Sequence, residues 1–391
     1  MNLPGPTESR AHLAYCTNIH PAETWADTRH ALATHTLAVR DLLRASGHLA
    51  GDAPFAIGLR LSASAAAGLL EGDELARFRD WLAQTNTYVF TINGFPYGDF
   101  HGTRVKERVF QPDWTDPARL DYTKNLFRIL AAIAPADAGA SVSTLPGSFK
   151  AFGADEARIR ANLIDLADYL DDLSDSSGHD FHLGMEPEPL GYFENSVETV
   201  AFFDRLRHHA PNAETINRRI GVNYDACHFA LQYESAASAL DLVTAAGIRL
   251  SKIHLSSALA FSPADPDALT AIRAFEEPTY FHQVLLRAAD GEITRFKDLP
   301  DLLTDVDAGR FDPARFDEAR VHFHIPLDAE PEPPLRSTRD HAAETLAWHR
   351  RNPNACGHFE IETYTWGVLP QPMQRPVAEQ IAAEYRWVLG S

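Results

Sequence analysis

In IGVNYDACHFALQYE (220–234) a short apolar, β-branched run ends on Asp225, and His228 follows three residues later at the head of a segment with helical spacing. A strand that ends on a polar residue and gives way to a helix is one βα unit. The unit recurs along the chain. HLAYCTNIH (12–20) is strand-like and TWADTRHALATHTLAVRDLLRASG (24–47) helix-like, closing at a glycine. Further strand-like runs are PFAIGLRLS (54–62), TYVFTINGF (87–95), ASVSTLPG (140–147), DFHLGMEPEP (180–189), LSKIHLS (250–256) and GHFEIETYTW (357–366). Eight strands with crossovers and no interdomain linker predict one (β/α)8 barrel over residues 1–391, in preference to an open doubly wound sheet.

Between the seventh and eighth strands, roughly 257–337, the rhythm breaks. TYFHQVLLRAADGEITRFKDL places an Asp-Gly turn between two alternating runs, and RVHFHIPL adds a third, which predicts an antiparallel β excursion from the barrel's top. A second long loop, GFPYGDFHGTRVKERVFQPDW (94–114), follows strand three. Both leave the C-terminal face, where barrels build active sites.

Composition narrows the partners. The 391 residues are 45 % hydrophobic, enough for a large core, and 35 Lys+Arg against 54 Asp+Glu give a net charge of −19. Such a chain repels phosphate backbones and anionic membrane surfaces, so a small-molecule partner is expected and nucleic acid is not. Cys16, Cys227 and Cys356 lack CxxC spacing and read as packing residues in a reducing, cytoplasmic setting. MNLPGPTESRAHLAYC (1–16) shows no leader pattern, and no apolar run approaches the ~18 residues of a membrane span. The composition is compatible with a homo-oligomer.

Polar residues collect at the ends of successive strands: Glu186 and Glu188 after the fifth, Asp225 after the sixth, His254 in the seventh, Glu360 and Glu362 in the eighth. Neighbouring strands lie ~4.8 Å apart, so side chains at one height converge. Several ionised carboxylates share a small site only if a cation offsets their repulsion. Oxygen donors with one imidazole suit Mn, Mg, Co or Zn as a divalent ion. Plainer readings exist for each: Asp225 is a natural helix cap, His228 and His254 fit as packed core histidines, and MEPEPLG fits a solvated loop. Glu360 and Glu362 share one strand face, and spacing does not choose between them.

Taken together, GMEPEP, YDACHFALQY, KIHLSS and IETY resemble strand-end elements of the xylose-isomerase-like barrels, which include sugar isomerases, sugar epimerases and type IV AP endonucleases. That resemblance implies metal ligation by Glu186, Asp225, His254 and Glu362; in such a site Glu186 and Glu362, each holding the ion by one oxygen, could pass protons as base and acid. It gives His228 two roles, substrate contact as in the epimerases or a second ion as in the nucleases. His322 and His324 of RVHFHIPL resemble the Asp-x-His pair of the nuclease-like members, with His in place of Asp, so two ions are conceivable. Glu188, His228, His324, His101 and Lys106 are the candidate substrate-binding residues. For His20, His101, Arg104, Lys106 and Lys150 on top-face loops, a surface role is the plainer reading. TNIHPAETW, NGFPYGDFHG, VKERVFQPDW, LPGSFK and EIETYTW most resemble the EboE-type metabolite-traffic proteins of gene clusters in cyanobacteria, algae and other bacteria. That resemblance carries over the barrel and the metal and leaves the reaction open; the leading reading is a metal-dependent barrel enzyme acting on a small polyhydroxylated or phosphorylated metabolite, an isomerase or epimerase. The rivals are a two-metal phosphoester hydrolase and a non-catalytic carrier.

Overall fold

A computed structural model describes Met1, Leu3, 11–102 and 104–390. Half of the segment read for a leader, Asn2 and 4–10, lies outside the described residues, as does Thr103 of the long loop. The first seven strands are β1 (His12–Tyr15), β2 (Phe55–Arg60), β3 (Thr87–Asn93), β4 (Ala140–Thr144), β5 (Phe181–Met185), β6 (Ile220–Asp225) and β7 (Arg249–Leu255). Five short strands follow, β8 (Leu259–Phe261), β9 (Val284–Ala288), β10 (Ile293–Phe296), β11 (Phe316–Val321) and β12 (Arg336–Ser337), before β13 (His358–Ile361).

β1 to β7 and β13 form one parallel sheet in the order β1-β13-β7-β6-β5-β4-β3-β2. A parallel bridge from Cys16 to Gly58 joins the two ends, so the sheet closes into an eight-stranded barrel. Each barrel strand falls within its predicted run except β7, which starts one residue earlier, at Arg249. β1 and β13 stop early because Thr17–Ile19 and Tyr364–Val368 turn into 3-10 helices.

The helices close the outside. Pro117–Ile133 begins at Asp116, whose carboxylate caps Ala118 N at 2.9 Å, and buries Leu126, Phe127 and Leu130 against β3 and β4. Glu156–Ser177 is capped by Asp155 and ends at Gly178, whose φ of +75° is a left-handed conformation that glycine adopts without steric cost.

The excursion is a five-stranded antiparallel sheet in the order β10-β9-β11-β8-β12. The Asp290-Gly291 pair turns the β9–β10 hairpin, with Gly291 at φ +88°. Leu286, Leu302, Val321 and Phe323 belong to the buried apolar cluster that backs this sheet. One expectation shifts. β11 ends at Val321, short of His322 and His324. His322 N still donates to Gln283 O (2.9 Å), but Ile325 N donates to Ser257 O (2.8 Å), so the chain has left the sheet for the mouth of the barrel. The 94–114 loop is strapped to the excursion by Val105 N and Lys106 N, which both donate to Thr279 O at 2.9 and 3.2 Å.

Gly58 marks where the barrel interior is tightest. A Cβ there would land on Glu360 Oε1 and within 2.6 Å of the Tyr15 carbonyl. Overpacking of this kind costs about 1–3 kcal/mol. Gly58→Ala is expected to lower stability by at least that much, seen as a lower urea midpoint; an unchanged midpoint contradicts the tight contact.

Candidate metal centre

Strand register assembles the centre. Asp225 and Glu360 are the residues paired across from His254 on its two neighbouring strands. Glu186 and Glu362 come one residue past β5 and β13, held in line by Glu186 N to Thr144 O (2.8 Å) and Glu362 N to Leu255 O (3.1 Å). Glu186, Asp225, His254 and Glu362 are all buried, and each offers a ligand atom within 4.8 Å of the others. His254 Nδ1 lies 3.4 Å from Glu186 Oε1, 3.5 Å from Asp225 Oδ2 and 3.1 Å from Glu362 Oε2. Its other nitrogen, Nε2, lies 3.0 Å from Glu360 Oε2. Glu360 also takes the ammonium of buried Lys252, and despite burial Lys252 and His254 bring its carboxyl down to about 2. Glu362 therefore faces the cluster, and Glu360 supports the imidazole from behind.

Neutral donors aim the carboxylates. Asn18 Nδ2 and Asn93 Nδ2 donate to Glu362 Oε1 (2.8 and 3.0 Å), and Asn223 Nδ2 donates to Glu186 Oε2 (2.8 Å). Asp225 Oδ1 accepts from Ser256 Oγ (2.7 Å) and from His228 N (3.1 Å), the latter as the cap of Ala226–Leu231. Asp225 is thus a helix cap and a member of the cluster at once. Its second oxygen, Oδ2, is buried with no hydrogen-bond partner. Burial opposes charge on Asp225, but the surrounding imidazoles, His254 among them, outweigh it and hold the carboxyl well below the usual range. Burial also opposes charge on His254, yet Glu362 and Glu186 raise its pKa well above the ordinary value. Glu188 is pushed far up by burial and by the Glu186 charge.

A second group adjoins the first. The His228 and His322 rings are 4.9 Å apart, His228 and His324 5.5 Å, and His322 and His324 5.4 Å. His228 Nδ1 donates to Pro187 O (2.9 Å) and His324 Nδ1 to Glu362 O (2.9 Å). A carbonyl only accepts, so both rings carry their proton on Nδ1 and present a bare Nε2. The Nε2 atoms of His322 and His324 have no partner. His228 with His324 can share a ligand set with Asp225, and His228 with His322 can share one with Glu188. Burial lowers the His228 pKa to about 4 and holds that of His322 well below its ordinary value, which keeps both rings neutral and able to donate lone pairs.

Above lies a cavity with an empty volume of about 580 Å³. Glu186, Glu188, His228, His322 and Glu362 line its floor together with Asn18 and Asn93. Asp225, His254 and His324 sit behind them. Lys106 reaches the cavity wall, yet it is buried, paired with Asp298, and lies 5.3 Å from the centre of the Phe281 ring. His101 does not line the cavity; it stacks edge-on against Phe100 at 5.0 Å. His20 is buried beside Tyr15 rather than on the surface, whereas Lys150 is half-exposed and pairs with Glu194 and Glu198. Sequence reasoning did not single out the asparagines, Lys252 or the aromatic wall: Asn18, Asn93, Lys252, Phe100 and Tyr364 lie inside the quoted strings, but each contact crosses strands or loops and so leaves no local signal.

Fold and site define a (β/α)8 barrel with a buried carboxylate–imidazole centre at its C-terminal end. No family model and no curated protein matches the chain. Solved structures similar to it include a probable 3-DHS dehydratase, AsbF, from Bacillus anthracis (13 % identity, TM-score 0.48, covering 97 % of this chain and 98 % of that one). A xylose isomerase domain protein from Alicyclobacillus acidocaldarius is 12 % identical with TM-score 0.45 over 97 % and 99 % of the two chains. An L-ribulose 3-epimerase is 14 % identical with TM-score 0.40 over 69 % and 80 %.

Glu384 braces the centre from outside: its Oε2 accepts from Leu327 N (3.1 Å), at the end of the excursion, and from Thr363 Oγ (2.7 Å), beside Glu362. Burial lifts its carboxyl to about 8 from 4.5. An acid raised in the folded state binds a proton that the unfolded chain releases, so its effect on stability worsens from about pH 4.5 to pH 8. Glu384→Gln is expected to flatten the fall in melting temperature across that window; an identical pH profile in the variant contradicts the assignment.

Proposed function

We propose that this protein is a divalent-metal-dependent enzyme acting on a small oxygen-rich metabolite, of the isomerase or epimerase type. The observation that carries the reading is the unpartnered Asp225 Oδ2, buried among Glu186 Oε1, Glu362 Oε2 and His254 Nδ1. That oxygen has no hydrogen bond, and the one imidazole beside it, His254, faces three buried carboxylates at once; the charge left uncompensated costs several kcal/mol, which a cation would offset. Three carboxylates and one imidazole suit Mn, Mg, Co or Zn, and Glu186, Asp225, His254 and Glu362 would hold the ion.

When bound, the ion polarises adjacent substrate oxygens and makes the neighbouring C–H more acidic. Glu186 and Glu362 approach His254 Nδ1 from strands on either side of the centre. One would take the carbon-bound proton while the other returns it. Asn18 and Asn93 hold Glu362 in register, and Asn223 holds Glu186. His228, aimed by the Pro187 carbonyl, and Glu188 would contact substrate hydroxyls from the cavity floor, with His324 behind. We treat 1–391 as one barrel unit with the 257–337 insertion as its cover. The likeness of several loop strings to EboE-type proteins would place the activity in metabolite traffic or biosynthesis.

A second reading, a two-ion phosphoester hydrolase, draws on the unpartnered Nε2 atoms of His322 and His324 and on His228 Nε2, which lies 3.4 Å from Glu188 Oε2. Duplex DNA is not its substrate, because a net charge of −19 opposes the encounter.

Elemental analysis of the purified protein separates the readings. One ion per chain is expected, and Asp225→Ala should lose it together with the melting-temperature gain that the added metal gives, since native-state binding contributes RT ln(1+[L]/Kd). Two ions, one of them lost in His324→Ala, would favour the hydrolase. Metal content unchanged in Glu186, Asp225, His254 and Glu362 alanine variants would defeat both.

A further inference from the structure

The lining of the cavity over the centre is of two unlike kinds, which meet where the Tyr364 ring lies 4.7 Å from the His324 ring. Its floor is acidic. Its roof is made of rings from three separate segments: Phe100 from the 94–114 loop, Tyr280 from the excursion and Tyr364 after β13. Their centroids are 5.3 Å (Phe100–Tyr280), 5.3 Å (Phe100–Tyr364) and 5.1 Å (Tyr280–Tyr364) apart. Tyr280 Oη is spent on the Phe100 carbonyl at 3.1 Å. Phe95, Phe110 and Val109 continue the apolar wall.

Charge is distributed just as unevenly. Among the described residues, Lys106 is the sole Lys or Arg lining this cavity, and Asp298 neutralises it in a pair that is only 8 % exposed on either side. Asp298 is itself fixed, its Oδ1 accepting from His282 N and Leu299 N, both at 3.0 Å. A phosphate dianion would therefore meet Glu186, Glu188 and Glu362 below and no uncommitted cation in the wall. Phosphate-binding sites use free Lys or Arg donors, or a helix N-terminus, to offset that charge.

We propose that the substrate is an uncharged amphiphile, with vicinal oxygens at one end for the acidic floor and an apolar or aromatic group at the other for the ring-lined roof, and that sugar phosphates are excluded. The proposal rests on the ion-dependent reading above and narrows it: the metabolite is polyhydroxylated and not phosphorylated. Apolar surface leaving water against the rings provides affinity, and the Lys106–Asp298 pair rejects anionic tails.

Three hydroxamates of different tail, each offering two adjacent oxygens, test this on the Mn-loaded full chain by calorimetry. Benzohydroxamate is expected to bind at least tenfold tighter than acetohydroxamate, and phosphoglycolohydroxamate weaker than either. Val109→Asp, at the wall, should erase the phenyl advantage while leaving acetohydroxamate affinity and metal content unchanged. Asp298→Asn, which keeps the Oδ1 acceptor and releases Lys106, should strengthen phosphoglycolohydroxamate binding alone. If acetohydroxamate binds but benzohydroxamate binds no tighter, or phosphoglycolohydroxamate matches it, the amphiphile proposal fails and the ion-dependent reading stands. If no hydroxamate binds, the ion-dependent reading fails and takes the proposal with it.

Discussion

Electrostatic repulsion among Glu186, Asp225 and Glu362 is the constraint around which this barrel is organised. Three carboxylates turn one oxygen each toward His254 Nδ1, at 3.1–3.5 Å, in a site with almost no exposure to water. Water would screen such charges; a buried site does not. The neighbouring structure supplies the missing screening in layers. Asparagine and serine donors occupy the outward oxygens, His254 faces the inward ones, and Lys252 balances Glu360 one layer below. Removing any layer leaves a buried charge without a counterpart, which is why the polar interior and the strand register depend on each other.

The same constraint explains the barrel's unusual interior. Close-packed barrels fill their centres with branched apolar side chains. Here Gly58 leaves space for the Glu360 carboxylate, and His358 bonds Ser141 Oγ at 2.8 Å lower down. The apolar core lies instead between the strands and the helices, in residues such as Ile57, Leu126, Leu163 and Leu183.

Much of this was legible in the sequence, because β-branched and aromatic runs alternate with amphipathic ones and the acids fall where those runs end. All eight barrel strands and the β9–β10 turn at Asp290-Gly291 follow from that grammar. Glu362 over Glu360 does not follow, since both share a strand face; the choice depends on which carboxylate the neighbouring strand's imidazole meets with Nδ1. Lys252 and Glu360 are 108 residues apart, and Lys106 and Asp298 are 192 apart. Partners this distant are set by register and by loop closure, and neither leaves a local pattern. His20 and Lys106 look like surface residues for the same reason: a loop composition does not reveal that the loop folds under another. The likeness to EboE-type proteins has no counterpart among family models or curated proteins.

The strap between the 94–114 loop and the excursion tolerates substitution. Its two donors, Val105 N and Lys106 N, and its acceptor, Thr279 O, are all main-chain atoms. Main-chain bonds survive a change of side chain, so the roof stays fastened while the rings it carries are free to vary. Point substitutions at the roof therefore remodel the upper wall of the cavity while the carboxylate–imidazole centre on the barrel floor keeps its geometry.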